Sequence, residues 1–112
     1  MKKLEIIIKD ENLDDLKEIL TECNANDIMI SKIKHYDNQK AYKKICRGTE
    51  YYVDLLRRVK AEIIVTPEVS ELIIDKVLKE ISTGNYKECK IFSSDIEDVV
   101  KIRVAEHGFY AL

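Results

Sequence analysis

Tyr36–Val59 reads YDNQKAYKKICRGTEYYVDLLRRV, and the fold turns on how this stretch is understood. It is polar and highly charged, yet it lies between two segments of strand character. Ile28 to Tyr36 runs into it, and Val59 to Thr66 (VKAEIIVT) runs out of it. Hairpin loops are normally two to five residues, so about twenty residues without a tight-turn signal read as a long inter-strand loop. Such a loop on a small scaffold costs conformational entropy and is commonly a binding or signalling element. Tyr42, Tyr51 and Tyr52 stand among lysines and arginines here, as exposed aromatic and cationic contact groups. The competing reading is a helix broken by Gly48, because the stretch is rich in helix formers.

The flanks supply the rest of the scaffold. Lys3 to Lys9 (KLEIIIK) is a β-branched run suited to a buried central strand. Asn12 is an N-cap candidate, and Leu13, Leu16, Ile19, Leu20 and Cys23 then recur as one stripe of an amphipathic helix. Thr66-Pro67 starts a second helix, with Thr as cap and Pro in the first turn. Val69, Ile73, Val77 and Ile81 form its apolar stripe, and Gly84 suits a left-handed stop. Lys90–Ser93 and Val99–Val104 read as short strands, and an apolar tail follows to Leu112. The order is β-α-β-loop-β-α-β plus one short strand. Two helices on one face of an antiparallel sheet give an α+β, ferredoxin-like βαββαβ sandwich, expected as a single domain over 1–112.

Composition narrows the function classes. Hydrophobic residues make up 46% and charged residues 36% of 112, a balance that fits one soluble core and not a disordered chain. The net charge of −2 gives no overall basic field to draw nucleic acid, although Lys40, Lys43, Lys44, Arg47, Arg57, Arg58 and Lys60 cluster in or beside the long loop. Cys23, Cys46 and Cys89 are widely spaced, and with no signal peptide they read as reduced thiols of a cytoplasmic protein. Neither His35 nor His107 joins a metal motif, and no apolar run approaches a membrane span. No Ser-His-Asp, Cys-His or paired-carboxylate set is evident, so a binding module is expected rather than an enzyme.

Several local patterns together resemble the PII nitrogen-regulatory signalling family, over nearly the whole chain. They are MKKLEIIIK, Asn38-Gln39-Lys40, Arg47-Gly48-Thr49-Glu50-Tyr51 with Val53-Asp54, Glu62, Thr83-Gly84, Lys90-Ile91-Phe92 and Ile102-Arg103. The resemblance implies a homotrimer whose long loops, here about 37–55, reach target proteins such as an ammonium channel or a nitrogen-metabolism protein. It implies ATP or ADP between subunits, and 2-oxoglutarate with Mg²⁺ at the loop base. Gln39 then matches a residue holding metal and 2-oxoglutarate, and Glu62 one near the adenine. Lys90 and Arg103 match phosphate-facing cations, with Lys87, Arg58 and Lys101 in the same cleft. Tyr51 matches a tyrosine that is nucleotidylylated in many members, and Arg47 a loop-tip arginine that can plug a channel. Arg58 stands for a lysine and Lys101 for an arginine, which keeps charge but changes its geometry. Glycine in the family stands where this chain has His35, Asp37, Ala41, Lys87 and Cys89. The alternative is a PII-like trimer that has lost the usual effectors and senses another small molecule or metal.

Overall fold

A computed structural model describes residues 1–36, 42–46, 49–53, 55–81, 89–103 and 106–108. The first strand, β1 (Lys2–Ile8), shows why the sequence forms a sheet here: Leu4, Ile6 and Ile8 are buried, and the residues between them are not. That period of two puts the apolar set on one face. A 3₁₀ turn over Asp10–Asn12 leads into helix α1 (Leu13–Glu22), which buries Leu16, Ile19 and Leu20 against the sheet. Asn12 occupies the N-cap position of α1, as expected. Its side chain makes no capping bond, because the 3₁₀ turn already occupies the helix entry, with Asn12 N donating to Lys9 O at 3.0 Å.

Strand β2 (Met29–Tyr36) follows, and after the intervening stretch the chain enters the long strand β5 (Leu55–Val65). Helix α2 (Pro67–Glu80) starts as its sequence requires: Thr66 Oγ1 accepts from Val69 N at 3.4 Å, and Pro67 sits in the first turn. Ile73, Val77 and Ile81 are buried, as the stripe predicts. Strand β6 (Lys90–Asp95) completes a four-stranded antiparallel sheet in the order β2-β5-β1-β6. Both helices cover one face of it, the ferredoxin-like arrangement expected from the sequence. The core is the layer between Leu4, Ile6, Ala61 and Ile63 on the strands and Leu16, Ile19, Leu20, Ile73 and Val77 on the helices.

The charged stretch is neither the open loop nor the helix that the sequence suggests. Tyr42–Cys46 (β3) and Thr49–Val53 (β4) form an antiparallel ribbon of their own, from Tyr42 opposite Val53 to Cys46 opposite Thr49. In sequence only Arg47-Gly48 separates the two strands. The β2–β5 ladder ends at Tyr36 opposite Leu55. The ribbon's own register begins at Tyr42 opposite Val53.

The C-terminal reading also changes. Val99–Val104 does not form one strand of the main sheet. Val100–Lys101 (β7) pairs instead with Glu106–His107 (β8) in a separate two-stranded ribbon, with a turn at Ile102-Arg103. Gly84 and the apolar tail from Phe109 lie outside the described residues.

Candidate functional site

Sheet register places the candidate residues. Glu62 of β5 lies opposite Glu5 of β1, and Glu5 lies opposite Phe92 of β6. Ile7, two residues along β1, lies opposite both Lys60 and Lys90. Alternation puts Glu62, Lys60, Glu5, Ile7, Phe92 and Lys90 on the face away from the helices. Glu62 and Lys90 are thus on one surface, separated by β1, or about 10 Å of strand spacing, and by one two-residue step along it.

The electrostatics of that face are graded from β5 to β6. Lys60 Nζ meets Glu62 at 2.9 Å, and Lys3 Nζ bridges Glu5 at 3.1 Å and Glu62 at 3.9 Å. The hydrogen bond from Lys60 holds the Glu62 carboxyl below its ordinary value, so it stands ionised as an acceptor. Lys90 meets no carboxylate among the described residues; its ammonium lies 6.0 Å from the Phe92 ring centre. A donor set of one aligned carboxylate, one uncommitted ammonium and the apolar Ile7 between them fits a ligand with an amine edge and an anionic end. Lys90 also borders a cleft of about 470 Å³ between α2 and the β1–β6 edge, with Val77, Ile81 and Cys89.

Other candidates fall elsewhere. Arg58 is buried, with 8% exposure, and its Nη1 donates to Arg57 O at 2.6 Å. Lys101 is on β7 and Arg103 on the adjoining turn, so the ribbon and not the main sheet carries them. Tyr51 lies in β4, opposite Lys44. Gln39, Arg47 and Lys87 lie outside the described residues. Among the described residues, no group of three or more His, Cys, Asp or Glu could hold a metal ion.

One feature of the ribbon escapes sequence reasoning. Asp98 Oδ2 lies 2.7 Å from His107 Nδ1, while its Oδ1 accepts from Val99 N at 2.9 Å and Gly108 N at 3.0 Å. The carboxylate can only accept, so Nδ1 carries the proton. Gly108, at φ +66, also donates to Val99 O at 3.0 Å, a backbone position that a side chain would strain. Asp98 and His107 are nine residues apart and meet only because the chain turns back. Asp98 thus clasps the turn that presents Lys101 and Arg103.

The clasp has a pH signature. The His107 hydrogen bond, followed by that from the Gly108 amide, holds the Asp98 carboxyl below its ordinary value. Its contribution is therefore present above the unfolded carboxylate value, near pH 4, and disappears as pH falls through the lower folded value. Amide protection at Val99 and Gly108 should drop in acid before that of β1, and Asp98→Ala should bring the same loss to neutral pH. Unchanged protection in Asp98→Ala would contradict the clasp.

Comparison with known proteins settles the family. The model of "Nitrogen regulatory protein P-II" matches residues 1–106. The chain belongs to the P-II family. A Mesorhizobium japonicum nitrogen regulatory protein P-II is 40% identical over 112 residues, all of both chains. The Rhizobium meliloti protein of the same name is 38% identical, and nitrogen regulatory protein P-II 1 of Escherichia coli K12 is 36% identical, again end to end. P-II proteins are regulatory signal transducers that respond to small effectors and act on partner proteins. No helix among the described residues is long and apolar enough to cross a membrane.

Proposed function

We infer that this P-II protein is a cytoplasmic signal-transduction regulator of nitrogen metabolism without catalysis of its own. In this reading it is one domain over 1–112, assembles as a homotrimer, and binds ATP or ADP between subunits. It acts on an ammonium channel or a nitrogen-metabolism protein through the arm at about 37–55. The family match carries the reading, because residues 1–106 span every candidate position.

The geometry supports it in two ways. Glu62 and Lys90 share the sheet face away from the helices, an acceptor for an adenine amine and a cation for phosphate. Lys101 and Arg103 are on the separate ribbon, so in this reading a neighbouring protomer's ribbon would complete the cation set, to which Lys87 and Arg58 would also contribute. Ile102 between them is 99% exposed, and Leu78 (73%) and Met29 (61%) are also open. In the trimer of this reading they would be available for contact with a neighbouring protomer. Gln39 would hold Mg²⁺ with 2-oxoglutarate at the arm base, Arg47 would contact the target, and Tyr51 would be the modified side chain.

Light scattering joined to calorimetry tests this. The expected result is a trimer that binds one ATP or ADP per protomer saturably without turnover. A monomer at micromolar concentration would contradict the assembly. An intact trimer that ignores both nucleotides at millimolar concentration would contradict the effector.

A further inference from the structure

The cations of the sheet fall into two sets. Lys2 meets Asp95 at 2.5 Å, Lys3 meets Glu5 at 3.1 Å, Lys9 meets Glu11 at 2.7 Å and Lys60 meets Glu62 at 2.9 Å. Lys32, Lys34 and Arg57 meet no carboxylate among the described residues. All three are exposed, and they converge with Arg58, Ile33 and Asp10 on one cleft of about 210 Å³. Register explains the convergence: Lys34 of β2 lies opposite Arg57 of β5, and Lys32 lies opposite the buried Val59. By alternation Lys32, Lys34 and Arg57 stand on the helix side of the sheet, away from the face that carries Glu62 and Lys90. By the same alternation the buried Arg58 side chain belongs to the other face. Three cations therefore stand against the single carboxylate of Asp10, a local excess of two positive charges on a chain of net −2.

Two simpler accounts fall short. Lysines on an edge strand blunt unwanted sheet pairing, and β2 is an edge. That covers Lys32 and Lys34 but not Arg57, because β5 is an inner strand. A pocket for a whole metabolite is the second account. Such pockets enclose about 300–1,000 Å³, whereas this cleft is smaller and its cations are open to solvent. An occupant that brings carboxylates one at a time on its own scaffold fits both the size and the exposure. The geometry points to a docking site for acidic side chains of a protein partner, at the base of the β3–β4 arm and separate from it. The inference rests on the regulator reading only in requiring a protein partner; it does not require nucleotide.

The test uses the full chain and a fluorescein-labelled octaglutamate peptide, followed by anisotropy at low ionic strength. Binding is expected, weakening as salt is raised towards about 0.5 M. The pair Lys32→Gln/Arg57→Gln should weaken it by about fivefold or more. Lys17→Gln/Lys79→Gln, which removes as much charge from the helices, should leave it within about twofold, as should Lys43→Gln/Lys44→Gln in the arm. Saturating ATP should leave it unchanged, which separates this site from the nucleotide reading. The proposal is overturned if the peptide does not bind, or if the helix pair weakens it equally, since bulk charge then suffices. It is also overturned if the arm pair abolishes binding, or if pyrophosphate at about millimolar concentration displaces the peptide as a small-anion site would.

Discussion

Cutting Ile6 back to alanine should remove about 2–5 kcal/mol of folding stability, the usual range for losing a buried branched side chain. Ile6 is fully buried in β1, opposite Ala61 on one neighbouring strand and Ile91 on the other. The methyl groups it loses face the helix layer, where Leu16, Leu20 and Ile73 are also fully buried and have little room to close the gap. Against a typical total of 5–15 kcal/mol, the loss is large enough to move a urea midpoint clearly. Protein concentration must be held fixed, because the proposed assembly would couple folding to association. A loss below about 1 kcal/mol would mean that β1 is not the centre of the core.

The second large effect is on the effector. Lys90→Ala and Arg103→Ala should each weaken adenine-nucleotide binding by roughly tenfold or more, since a charge-assisted phosphate contact is worth about 1.5–3 kcal/mol. Neither change should disturb folding, because both side chains are exposed and neither pairs with a carboxylate among the described residues. The two variants also separate two sources of charge. Lys90 belongs to the main sheet and Arg103 to the β7–β8 ribbon, so equal losses would argue for a site built from both. Titration with ATP and ADP, with and without Mg²⁺, reads the effect; unaltered affinity in both variants would remove these cations from the site.

Much of the fold was legible because burial writes a period into the sequence. Ile73, Val77 and Ile81 recur at helical spacing, so that helix and its inward stripe could be read directly. The β-branched run of β1 marked a strand without showing that only Leu4, Ile6 and Ile8 face inward. The arm was not legible for the opposite reason. YKKIC and TEYYV lack one clearly apolar face, so no core imposed a visible alternation. Their connection is Arg47-Gly48 instead of the Asn-Gly or Asp-Gly that marks a tight hairpin. VVKIRV alternates well enough to look like a strand, yet the Asp98 clasp turns the chain back after Lys101. That contact is tertiary and leaves no local pattern. At the candidate site, Glu62 and Lys90 were found from family resemblance, while the Lys34–Arg57 convergence needed the β2–β5 register to appear.

If the proposed regulator binds nucleotide at the sheet and acts through the arm, the nucleotide state should alter the arm. Amide exchange over Tyr42–Cys46 and Thr49–Val53 measures it most directly, because both strands form one ribbon whose pairing protects those amides. In the free, ADP-saturated and ATP-saturated protein, distinct protection across this ribbon is expected, with unchanged protection at the centre of β1. Identical arm exchange in all three states, with nucleotide shown to be bound, would contradict it.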